Sequence, residues 1–149
     1  MFILYILMLL IFVVIKFNGS IQSVINTIQL NMYRREQGGL AVNLIPFNTI
    51  GSYISNISYV VSIQNILGNI IPFVPMGFLM PMGFPSQRNI IKTMISCFFL
   101  ICGIEVLQLV CYLGSFDIDD IILNLLSCFI GFMLFIAYKN KLKVAYLMR

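Results

Sequence analysis

Residues 90–112 read IIKTMISCFFLICGIEVLQLVCY, a run with apolar side chains on every face of a helix and charge only at Lys92 and Glu105. Coiled as an α-helix at 1.5 Å per residue, it is about 34 Å long, enough to cross a hydrocarbon layer of roughly 30 Å. A helix that is apolar all round is buried either in protein or in lipid. The remainder of the chain decides for lipid. Of its 149 residues 60% are hydrophobic and 9% charged, and the mean hydropathy is +1.01, whereas a soluble domain carries about 25% charged residues.

Working outward from this run, residues 64–83, 121–138 and 1–17 also approach the length of a span. The expectation is an all-α polytopic membrane protein, residues 1–149 forming one membrane domain with four transmembrane helices. The first run, Met1 to Ile15, has no basic segment before it and no small-residue cleavage site after it, so it reads as a retained anchor. It is short, and draws on Phe17 and a snorkelling Lys16 to span.

The basic residues flank apolar runs, as membrane anchors do, and form no groove for nucleic acid. An even number of spans puts both termini on one side. With the termini in the cytoplasm, Arg88, Lys92, Lys139, Lys141, Lys143 and Arg149 lie inside and Lys16, Arg34 and Arg35 outside, six against three. That count favours this orientation.

The long connection over residues 17–62 contains Ile21, Val24, Ile25, Ile28 and Met32 at helical spacing, with Ser20, Gln22, Ser23, Asn26, Thr27 and Gln29 filling the other face. This is the pattern of an amphipathic helix lying in the outer leaflet between the first two spans. A weaker pattern recurs at Ile50, Ile54, Ile57 and Val61.

In lipid the informative residues are the costly ones. Glu105 lies eight residues before Leu113, about 12 Å inside the layer, where an acidic side chain costs on the order of 2.5–3.5 kcal/mol. It must be neutral, paired or turned to a wet cavity. Gln108 follows on the same face, so the pair points into the bundle as a polar patch. In the second span Asn65 and Asn69 are four apart, and Pro72 and Pro75 remove the amides that would bond the carbonyls of Gly68 and Ile71, which predicts a kink.

Asp117, Asp119 and Asp120 open the fourth span, where helix-end amides favour acidic residues. Three carboxylates exceed what capping needs, and a divalent metal, an arginine or a substrate amine would relieve their repulsion. Asn124, Ser127, Cys128 and Gly131 continue as a stripe of polar and then small residues suited to close helix contact. The four cysteines form no CxxC pair and the chain has no histidine, so a zinc site of the common kinds, a Ser-His triad and a histidine relay are excluded. No phosphate-binding loop or dinucleotide fingerprint is present, and no organic cofactor is evident.

Four blocks occur in order: Asn43-Leu44-Ile45-Pro46-Phe47, Asn69-Ile70-Ile71-Pro72-Phe73-Val74-Pro75-Met76-Gly77, Glu105-Val106-Leu107-Gln108, and Asp117-Ile118-Asp119-Asp120 with Asn124. Together, over residues 43–131, they resemble the signature of the VanZ-like family. The resemblance adds Asn43 to the candidate polar site of Asn69, Glu105, Gln108, Asp117, Asp119, Asp120 and Asn124. It implies a bacterial cytoplasmic-membrane protein that lowers sensitivity to teicoplanin and related lipid-tailed glycopeptides. Two positions depart from the pattern: Ser115 stands where arginine is frequent, and Ser127 where glycine is usual.

Two functional readings follow. The first is a non-enzymatic protein that changes how an amphiphilic antibiotic or envelope lipid engages the outer leaflet, with membrane lipid and a lipoglycopeptide or lipid-linked envelope precursor as partners. The alternative is a small enzyme or carrier for a lipid-linked envelope substrate, working through outward-facing carboxylates.

Overall fold

The computed structural model describes residues 2–15, 20–39, 41–56 and 60–147. They form α1 (Phe2–Ile15), α2 (Ile21–Glu36), β1 (Val42–Asn43), α3 (Asn48–Ser55), α4 (Val60–Ile70), α5 (Phe73–Gly83), a 3₁₀ turn (Pro85–Gln87), α6 (Ile90–Val110), β2 (Phe116–Asp117) and α7 (Ile118–Leu147). Three stretches among the described residues are long and apolar enough to cross a membrane: Ser62–Gly83, Ile90–Val110 and Ile118–Lys141. These agree with the spans expected over 64–83, 90–112 and 121–138. The expected first span is realised as a helix of 14 residues, about 21 Å at 1.5 Å per residue. At that length it falls short of the other three, and Lys16 and Phe17 lie outside the described residues.

The stretch Ser62–Gly83 is interrupted at Ile71 and Pro72, which separate α4 from α5. Pro72 has no amide to continue the ladder of α4. Pro75 falls in the first turn of α5, where the amides have no intrahelical partner in any case. The break also serves packing: the Tyr5 hydroxyl of α1 donates to the Pro72 carbonyl at 2.5 Å.

At the centre stands α7, which packs most extensively on α5 and also on α6, α4 and α3. The α5–α7 crossing is close because it lacks side chains. A methyl group on Gly77 would sit 1.9 Å from the Cys128 carbonyl oxygen, and one on Gly131 would sit 2.0 Å from that of Val74. Backbone therefore meets backbone, the way small residues draw membrane helices together. Around this crossing Leu9, Phe73, Met76, Met80, Cys97, Ile101, Ile104, Ile121 and Cys128 form the apolar core.

The amphipathic pattern over 21–32 is a helix that extends through Glu36, started by Ser20, whose hydroxyl oxygen accepts the Ser23 amide hydrogen at 3.2 Å. The weaker pattern does not form one helix: α3 carries Ile50 and Ile54 and ends at Ser55, Ile57 lies outside the described residues, and Val61 belongs to α4. The all-α expectation also leaves out a small parallel pairing, in which Val42 lies opposite Phe116 and Asn43 opposite Asp117. This pairing ties the connection after α2 to the start of α7.

Candidate functional site: a carboxylate network at the head of the last helix

Asp117 occupies the position just before α7 and accepts the Asp119 amide hydrogen on Oδ1 at 2.9 Å, the bond of a helix N-cap. Its other contacts come from the connection 70 residues earlier. Thr49 Oγ1 donates to Oδ2 at 2.6 Å, and Asn43 Nδ2 lies 3.2 and 3.3 Å from Oδ1 and Oδ2. The β1–β2 pairing sets Asn43 beside Asp117, and Asn43 also donates to Thr49 Oγ1 at 2.9 Å. The Asn43 Oδ1 in turn accepts the Ile45 amide hydrogen at 3.2 Å, fixing the bend of the loop.

Asp119 does something different. It is fully buried, 0% exposed, and its carboxylate accepts three backbone amides of α3: Phe47 on Oδ1 at 2.6 Å, and Thr49 and Ile50 on Oδ2 at 2.8 and 3.0 Å. The helix α3 has no capping side chain of its own, because Phe47 occupies its N-cap position. Phe47 also has φ of 66°, a left-handed conformation that is strained for a bulky residue. Asp119 therefore caps α3 from α7, and its negative charge meets the positive end of the α3 dipole.

Asp120 turns to a third element. Successive helix residues project about 100° apart, and Asp120 faces α4, where Asn69 Nδ2 donates to its Oδ1. Both side chains are buried. The three aspartates thus separate into an N-cap, a trans cap and a helix–helix tie. The donors to Asp117 and Asp119 described above are neutral: backbone amides, an asparagine amide and a threonine hydroxyl. Among the described residues no group of three or more His, Cys, Asp or Glu side chains is arranged to hold a metal ion.

Tyr53, half-buried on α3, feels this charge. Burial and, after it, the carboxylates of Asp120, Asp117 and Asp119 push its hydroxyl up to about 12. Glu105 and Gln108 are buried on α6, and Asn124 is buried on α7. The Asn124 Oδ1 has no hydrogen-bond donor among the described residues. Ser127, at the position where the family pattern has glycine, returns its hydroxyl to the Leu123 carbonyl at 2.7 Å.

Arg35 meets the end of α6. The end of α6 is a Schellman cap: Leu113 N donates to the Gln108 carbonyl at 2.9 Å and Tyr112 N to that of Leu109 at 3.2 Å, with Tyr112 left-handed at φ 58°. Arg35 Nη2 donates to the Leu109 carbonyl at 2.7 Å and to Gly114 at 3.3 Å, its guanidinium lies 4.4 Å from the centre of the Tyr112 ring, and Asn31 Nδ2 donates to the Tyr112 carbonyl at 2.8 Å. A cation at the negative end of α6 suits its dipole. The turn that has serine at 115 thus receives a guanidinium from α2.

Thr49, Phe47, Tyr53, Tyr112 and Arg35 complete this end of the bundle and were not singled out as site residues by sequence. One signal was present for α3: an eight-residue helix following Pro46-Phe47 has no local acceptor for its first amides, so another element must supply one.

The family model described as VanZ/LLP1 matches residues 2–139, so it takes in α1 and α2 as well as the four motif blocks. No curated protein and no solved structure matches the chain. With the match running over nearly the whole length, the chain is a membrane protein that belongs to the VanZ/LLP1 family.

Proposed function

We propose that this protein crosses a bacterial cytoplasmic membrane four times, both termini in the cytoplasm and α2 lying in the outer leaflet, and lowers sensitivity to teicoplanin-type lipoglycopeptides by altering how the antibiotic or an envelope lipid engages that leaflet. The observation that carries the reading is the placement of α2. Ile21, Ile25, Leu30 and Met32 are exposed and none of its described side chains is buried, while Asn31 and Arg35 fasten its C-terminal end beside the α6–α7 turn. An amphipathic helix held at one end of a bundle with bare apolar residues is suited to the headgroup boundary. The excess of basic residues on the other side supports the same orientation.

The engagement of Asp119 favours a non-enzymatic role over acid–base chemistry at that residue. A buried carboxylate that engages both oxygens with three backbone amides holds a loop in place and is not presented to a substrate.

The test is growth inhibition by teicoplanin and by vancomycin in sensitive cells that express the wild type or Asp120→Asn at matched membrane levels. Selective protection against teicoplanin by the wild type, lost in the variant, is the expected result. Equal inhibition of expressing and non-expressing cells by teicoplanin would end the antibiotic reading.

A further inference from the structure

A cleft of about 530 Å³ opens between the C-terminal end of α2, the residues before β1 and the α6–α7 turn. Its polar lining comes from Asn31, Tyr33, Arg34, Arg35, Gln37 and Ser115, and no lining residue is acidic. Every one of these six side chains offers a hydrogen-bond donor. Such a lining is matched to an anion, and the volume falls within the range of small-molecule sites, larger than a bare inorganic ion needs.

The two arginines differ in a way that suits binding. Arg35 is held in place by the Leu109 and Gly114 carbonyls and by the Tyr112 ring, so its planar fork is oriented before any ligand arrives. These partners are dipoles and a ring, and among the described residues no carboxylate pairs with it. Its Nε is buried and has no hydrogen-bond acceptor among the described residues. Arg34 is exposed, and its side chain makes no hydrogen bond among the described residues, which leaves it able to follow the ligand.

We infer that this cleft binds a phosphate group, Arg35 acting as the fixed cation, Arg34 as the adaptable one, and Tyr33, Gln37 and Ser115 as neutral donors. Two guanidinium groups and three neutral donors exceed what the two oxygens of a carboxylate absorb. They suit the three or four oxygens of a phosphate, the ligand with which arginine forms its strongest paired bonds. A phospholipid headgroup and a free phosphate share this chemistry. The site is separate from the aspartate network and does not depend on the role proposed above.

The experiment uses the full chain in detergent, with inorganic phosphate, phosphatidylglycerol and its phosphate-free counterpart diacylglycerol as probes. Native mass spectrometry counts retained lipid, and calorimetry measures phosphate binding. Wild type is expected to retain phosphatidylglycerol over diacylglycerol, and Arg34→Gln to bind it about tenfold more weakly, a loss of about 1.4 kcal/mol. Arg34 is exposed, so this variant keeps the fold, and Lys92→Gln, which alters an exposed cation at the start of α6, should bind as wild type. Arg34-dependent binding of inorganic phosphate without lipid retention supports the phosphate site with a soluble source. Equal behaviour of wild type and Arg34→Gln toward both phosphate probes, or equal retention of the two lipids with no binding of inorganic phosphate, overturns the inference.

Discussion

Asp119→Asn isolates the trans cap on α3, because the substitution keeps the size of the side chain and replaces one acceptor oxygen with a donor. In the wild type Oδ1 takes the Phe47 amide and Oδ2 takes those of Thr49 and Ile50. An asparagine has a single carbonyl oxygen, so whichever way it turns, one or two of these amides lose their acceptor and face an NH₂ group. At about 1–3 kcal/mol for each orphaned donor, the loss is roughly 1–6 kcal/mol, on the order of 3–18 °C in Tm for a chain of this size. The assay is thermal unfolding of the detergent-solubilised chain, followed by a thiol-reactive dye that reports exposure of Cys97 and Cys128, both buried in the fold. Hydrogen exchange at Phe47, Thr49 and Ile50 should rise in the same variant at temperatures well below the transition. An Asp119→Asn protein that melts within about 2 °C of wild type and retains slow exchange at these three amides would refute the trans-cap reasoning.

Other substitutions probe the packing and the charge. Gly77→Ala and Gly131→Ala each place a methyl about 2 Å from a backbone carbonyl that no rotamer change can move, so each should cost about 3 kcal/mol or more and broaden the size-exclusion profile. Gly103→Ala, with nothing within 4 Å of the added methyl, should stabilise α6 by about 0.5–1 kcal/mol. The raised pKa of Tyr53 makes alkaline stability a further check. The neutral hydroxyl supports the fold fully below pH 10, the unfolded value, and that support is lost as pH rises through about 12. Melts in this window should fall more steeply for wild type than for Tyr53→Phe, and the difference in tyrosinate absorbance between the two should titrate near the upper end.

Hydropathy made the three long spans legible because lipid imposes a requirement on every residue of a crossing segment, and residues 64–83, 90–112 and 121–138 meet it locally. Their ends were less so. The helix α7 begins at Ile118 because Asp117 caps it, and α6 stops at Val110 because Tyr112 adopts a left-handed cap, neither of which shows in an apolar average. The position of the break in Ser62–Gly83 follows directly from Pro72. The first helix was harder, since a run of apolar residues states its preference for lipid and leaves its folded length open.

At the candidate site, Asn43, Asn69 and the three aspartates could be named from residue type and motif order, but their assignments to one another could not. Asp119 binds backbone amides, which every non-proline residue carries and which leave no mark in a sequence. Thr49 pairs with Asp117 across 68 positions, and Arg35, which charge alone would send toward the aspartates, finds the carbonyl end of α6 instead. The sequence by itself determined the solvent, the helical class and the set of polar residues that lipid makes costly, because these depend on composition and short-range periodicity. Only the tertiary structure decided which donor meets which carboxylate, how closely Gly77 and Gly131 bring α5 and α7 together, and that two arginines share one cleft, because hydrogen bonds and close packing act over about 3–4 Å between groups that the chain holds far apart in order.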